Sequence, residues 1–218
     1  MLSKENRRQI MERIGKAIDE LVTDLYSERI DGISAVQEAE ITSRLCQRLE
    51  DQLDNSRVGD YVFRVIAQSL PDRGPKSMER VIGADLFLSV SLEGHDGFDK
   101  GIFIQAKYDR NLDRGELKDA CRRMRQVAGS KGAYVWIYEA DGVRVVSSHQ
   151  VSQMRHNTLA DVVPRSATGF FGRILDCYAG NRSWGIPNGS DRREAVATRL
   201  RETRANNLLD IKLKKSRP

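Results

Sequence analysis

The chain has 218 residues, 39% hydrophobic and 31% charged, which is room for one α/β domain with a buried core and appended helices but not for two full domains. Its net charge of +5 resides in residues 191–218, where nine Lys or Arg face four Asp or Glu, and the rest is neutral overall; a basic tail of this kind can add salt-sensitive attraction to phosphates, and a solvated helical tail is a reading of at least equal weight. No apolar run could span a bilayer, the opening MLSKENRRQIMERIG lacks the apolar stretch of a signal peptide, and Cys46, Cys121 and Cys177 form no CxxC pair, so a cytoplasmic protein with buried free thiols is expected.

From Ser3 to about Arg29, Ile10, Ile14, Ala17, Ile18, Leu21 and Leu25 recur at helical spacing, predicting an amphipathic helix (residues 1–30) that needs a partner surface. Ser34 with Gln37 forms a capping box for a second helix carrying Ile41, Leu45, Leu49 and Leu53 inward. Tyr61 to Leu70 reads as a strand, and Pro71 to Lys76 as a loop. Two strands follow, Ala84–Val90 and Gly101–Tyr108. The first sets Asp85, Phe87 and Ser89 on one face, the second Phe103, Gln105 and Lys107, because strand side chains repeat every two residues. A helix over Asp113–Ala128 turns Leu117, Ala120, Cys121, Met124 and Ala128 inward and stops at Gly129, with Arg114, Lys118, Arg122 and Arg125 on its surface. The run AYVWIY at 133–138 is apolar on both faces, as for a strand in the middle of a sheet. A hairpin turn at Asp141-Gly142 leads into VRVVSS, a helix spans about Gly169 to Ala179, and residues 186–218 read as a basic helical tail.

Polar residues thus collect on one face of two consecutive strands, where Asp85, Gln105 and Lys107 can meet. Adjacent strands lie about 5 Å apart, close enough for an acid on one and an amide on the next to share a cation. Phosphodiester hydrolysis needs a hard cation to polarise the phosphoryl oxygen and acidify a water, and Mg²⁺ prefers oxygen donors. On the second helix Glu38 falls in the arc of Ile41, Leu45 and Leu49 while Glu40 points away, so Glu38 is the candidate acid there. It competes with the plain reading of a first-turn acid favoured by the helix dipole. Glu79 and Asp99 flank the site strands, where loop solvation is the better reading; Tyr108 and Arg110 follow Lys107 within reach of a phosphate backbone, and packing and solvent exposure account for them equally well. His95, His149 and His156 lack metal-ligand spacing, and no P-loop or GxGxxG occurs.

The order helix, strand, acid-bearing strand, QxK strand, helix, strand over residues 36–148, with Gly83-Ala84-Asp85 and Gln105-Ala106-Lys107, resembles the PD-(D/E)xK nuclease superfamily, in the QxK form of Mrr-type restriction nucleases. The resemblance implies a restriction-endonuclease-like core over residues 33–185, a central mixed sheet flanked by helices with extra N- and C-terminal helices. It implies Asp85, Gln105 and Glu38 as ligands of Mg²⁺ or Mn²⁺ and Lys107 at the attacking water. Double-stranded DNA as substrate and a role in restriction or anti-phage defence follow as expectations from the same likeness, whereas the small core and the amphipathic first helix lead to the expectation of a homodimer or larger complex. Gln in the family's Glu position removes one charge from the metal site. The competing expectation is a catalytically silent relative that binds nucleic acid or protein through the same fold.

Overall fold

The computed structural model describes residues 2–27, 38–69, 82–94, 97–109, 114–154, 162–187, 191–203 and 205–216. The proposed Ser34–Gln37 capping box, the loop at 71–76, Glu79, His95, Arg110 and His156 lie outside them.

Helix α1 (Lys4–Ser27) and helix α2 (Glu38–Leu53) form where the apolar spacing predicts them. In α1 the buried stripe continues through Val22 to Leu25, with Leu21 only half-buried. After α2 come β1 (Arg57–Val58), β2 (Tyr61–Ser69), β3 (Leu86–Leu92) and β4 (Phe98–Tyr108), then helix α3 (Arg114–Ala128), β5 (Ala133–Glu139) and β6 (Gly142–Ser147). The chain continues with α4 (Ser148–Gln153), β7 (Arg165–Ser166), α5 (Ala167–Leu175), a 3-10 turn at Arg182–Trp184, α6 (Arg192–Thr203) and β8 (Asn207–Lys215).

Among the described residues the strands make one eight-stranded mixed sheet, in the order β1-β2-β8-β3-β4-β5-β6-β7. Helices cover both faces. Ile10, Ile14 and Ile18 of α1, Leu45 and Leu49 of α2 and Phe170 of α5 pack on Leu86, Leu88, Ile102, Ile104 and Trp136. On the other face Cys121 and Met124 of α3, Val151 of α4 and Val196 of α6 pack on Phe87, Phe103 and Val135. The alternation of β3 and β4 therefore sorts residues between two cores rather than between a core and solvent, and every residue of β3 is buried. β5 is apolar on both faces for the same reason, lying between β4 and β6.

Three expectations need correction. The basic segment 186–218 is not a helical tail. After α6, residues 207–215 form a strand inserted between β2, to which it runs antiparallel, and β3, to which it runs parallel. Leu208, Leu209, Ile211 and Leu213 are fully buried there, and alternation within a basic stretch was the strand signal that net charge concealed. Nor does the apolar stripe of α1 await another protein: it is part of the same core as the sheet, so it gives no reason for a dimer. Cys177 also departs from expectation, being exposed, whereas Cys46 and Cys121 are buried.

Candidate functional site

β4 and β5 run parallel, while β3 runs antiparallel to β4, so the start of β3 lies beside the carboxyl end of β4. β8 starts at the same end, since Asn207 pairs with Leu86. Such a rim, at the carboxyl ends of parallel strands, is where α/β sheets leave room for ligands. Asp85 sits there, one residue before β3, and not inside the strand as the alternation predicts. Gly83 makes the bend possible: its φ of +80° suits glycine, and a β-carbon would stand 2.6 Å from the Ala120 backbone of α3.

Asp85 and Gln105 continue the register of the Leu86–Ile104 and Phe87–Phe103 pairs and share a face. The Gln105 carboxamide donates to Asp85 Oδ2, which also accepts the Ala106 N–H at 2.7 Å. Both side chains are almost fully buried. Asp85 is itself fixed through its main chain: its carbonyl accepts the Asn207 N–H at 3.1 Å and the Asn207 side-chain amide at 3.3 Å, and Ser69 Oγ donates to Asn207 Oδ1 at 2.8 Å.

Glu38 begins α2 and reaches the same end of β4. Lys107 Nζ donates to its Oε2 at 3.0 Å, and the Tyr108 N–H donates to its Oε1 at 3.1 Å. Two carboxylates thus hold four consecutive residues, Asp85 taking 105 and 106 and Glu38 taking 107 and 108. Glu40 instead pairs with Arg44 on the exposed side of α2. Behind Glu38, Thr42 donates to the Glu38 carbonyl at 2.8 Å and its hydroxyl lies 2.9 Å from the Tyr138 hydroxyl. Burial pushes the Tyr138 phenol well above its ordinary range, with Thr42 pulling the other way, so it stays protonated and supports the wall.

A cleft of about 460 Å³ opens over this rim, lined by Gln105 and Lys107 from β4 and by Glu116, Leu117, Asp119, Ala120 and Arg123 from α3. The structure therefore brings Glu38, Asp85, Gln105 and Lys107 together. Asp99 lies at the opposite end of β4, paired with Ser91, and His149 is exposed on α4. Tyr108 is buried, edge-on to Tyr26 and Tyr138, and is not among the residues lining this cleft. The α3 wall and Asn207 were not singled out from the sequence. Glu116, Asp119 and Arg123 follow the helical spacing of one stripe and were legible in principle, whereas Asn207 lies in the strand misread as helix.

Glu38 and Asp85 offer carboxylate oxygens. Because the nitrogen of the Gln105 carboxamide is turned to Asp85, its oxygen is the end left for a ligand. These are hard donors of the kind Mg²⁺ takes, which commonly uses one or two carboxylates and completes its shell with water and phosphate. Among the described residues no group of three or more His, Cys, Asp or Glu is disposed to hold a metal, so a site here rests on two acids and one amide. That donor set fits a Mg²⁺-type ion, weakly charged.

The fold and this rim define an α/β protein with a cleft over Gln105 and Lys107, each held by a carboxylate behind it. No family model matches the sequence, and no curated protein or solved structure shows significant similarity to it.

Proposed function

We propose that the chain is a metal-dependent nuclease on a restriction-endonuclease-like core, hydrolysing phosphodiester bonds of double-stranded DNA. What supports this most is the grip of Glu38 and Asp85 on residues 105–108, which gathers hard oxygen donors and a lysine at one ligand-accessible end of the sheet.

In this reading Asp85, Glu38 and the Gln105 oxygen hold Mg²⁺ or Mn²⁺. When bound, such an ion supplies Lewis acidity and a water of lowered pKa. Lys107 is in line with both the cleft and Glu38: its ammonium, held at 3.0 Å by the carboxylate, can shift to a phosphate oxygen and offset the charge that builds there. Asp85, buried and anchored by Asn207, keeps the start of β3 fixed while substrate enters from the α3 side. Gln105 contributes no charge, so the ion is held with help from the substrate's own phosphate. A setting in restriction or defence, in the cytoplasm, belongs to the same proposal. So does an assembly of two or more copies addressing two strands, which would have to use a surface other than the stripe of α1.

The test is plasmid cleavage in Mg²⁺ and in Mn²⁺. Wild type is expected to nick or linearise the DNA, with Asp85→Ala and Lys107→Ala slower by at least about a hundredfold. Undiminished cutting by both variants, or none by wild type in either metal, overturns the nuclease reading. Binding without cutting would instead identify a nuclease-like binding module.

A further inference from the structure

Among the described side chains of α3, the cations at 118, 122, 123 and 125 divide into those that are spent and one that is not. Lys118 donates to the Met154 carbonyl at 2.9 Å, Arg122 pairs with Asp119 at 2.9 Å, and Arg125 donates to Ser152 Oγ at 2.8 Å. Arg123 has no hydrogen bond or ion pair among the described residues, and its Nε is buried without a partner. Arg7 and Arg125 also bury an Nε, but each uses another nitrogen of the same guanidinium. Arg123 lines the cleft with Gln105 and Lys107. The side chain is half-buried, and its Nε, withdrawn from water with nothing to bind, carries a desolvation cost that a cleft ligand can relieve.

We propose that Arg123 is the phosphate-holding residue of this cleft, gripping the DNA backbone from the α3 wall opposite Lys107. The inference rests on the nucleic-acid reading of the cleft and adds to it a residue and a role. A planar guanidinium presents paired donors that match two oxygens of a phosphodiester, which an ammonium cannot do. Of the two acids beside it, Asp119 is already paired with Arg122, and Glu116 is exposed in the first turn of α3. Phosphate contacts of this kind fix register on the duplex and carry no base information.

The experiment measures binding of the full chain to a labelled DNA duplex in metal-free buffer, by fluorescence anisotropy over a salt series. Wild type is compared with Arg123→Gln, Arg123→Lys and, as control, Lys16→Gln on the exposed side of α1, away from the cleft. Arg123→Gln is expected to weaken binding roughly tenfold, equally for unrelated sequences, and to lower the slope of log affinity on log salt by about one. Arg123→Lys should regain the slope but not the whole affinity, and the control should change neither. In Mg²⁺ the Gln variant should raise KM more than it lowers kcat. Equal affinity and slope for Arg123→Gln and wild type overturn the inference, as does absence of binding by wild type. If Arg123→Gln does not fold, Arg123→Lys decides: wild-type affinity in that variant counts against a paired guanidinium contact. Wild type that binds but does not cut removes the nuclease reading alone, and the role of Arg123 then stands or falls on the slope.

Discussion

Gln105 is the residue on which the chemistry of the cleft turns, because it makes contact with Asp85 as a donor. Replacing it by Glu would set a second carboxylate against Asp85 Oδ2, almost out of reach of water. Without metal the variant is expected to lose about 1–3 kcal/mol of stability, since like charges in a buried site disfavour each other and a donor is lost. With Mg²⁺ the added charge becomes an advantage. Thermal unfolding in EDTA and in Mg²⁺ checks this: the rise in Tm on adding Mg²⁺ should be larger for Gln105→Glu than for wild type, and equal rises would mean that no ion binds there. At this scale much of the site was legible. Period two put Gln105 and Lys107 on one face, and the helical arc separated Glu38 from Glu40, as the contacts with Lys107 and Arg44 bear out. What the pattern could not give is that Asp85 precedes its strand, because a bend depends on a single glycine and on the approach of α3.

β8 shows how far element-level reading can be misled. Its residues are basic at Lys212, Lys214 and Lys215, and a charge count assigns the segment to solvent. Yet the apolar positions Leu209, Ile211 and Leu213 alternate and enter the core, while the lysines lie toward the exposed end. The cost of this placement is visible at Asp210, which is fully buried on the opposite face. Arg192 from α6 meets it with two nitrogens, each at 2.6 Å, and also donates to Ser91 Oγ at 2.8 Å. Burial lifts the Asp210 carboxyl above its ordinary range even so, with Arg192 pulling it down. In Arg192→Ala that pull is gone and the folded-state pKa climbs further above the unfolded value. A group raised on folding contributes stability below its unfolded pKa and loses it as pH rises through the folded pKa. The variant should therefore be about 3–5 kcal/mol less stable than wild type near neutral pH, with the gap narrowing on acidification. Urea unfolding of both proteins over a pH series measures it, and a gap that is constant or widens toward acid would show that Asp210 is not the group responsible.

For the whole molecule, β8 is the joint between two parts of the sheet. β1 and β2 pair with each other, and among the described strands β2 is joined to the rest of the sheet through β8; on its other side β8 pairs with β3, and from β3 the ladder runs on to β7. Removing residues 207–218 would leave β2 without its nine-residue ladder and β3 without one neighbour, and would expose the apolar inner sides of both. It would also release the Asp85 carbonyl from Asn207, so the candidate site and the fold fail together. A tail that only adds electrostatic attraction behaves otherwise: its loss lowers DNA affinity and the salt slope while the unfolding transition stays intact. The chain ended at residue 206 is accordingly expected to lose its cooperative transition in circular dichroism and to accumulate as insoluble protein, since unpaired strand edges with apolar faces associate. A soluble truncated chain that unfolds at the wild-type temperature would contradict the central position of β8, and with it the support that this strand gives to Asp85.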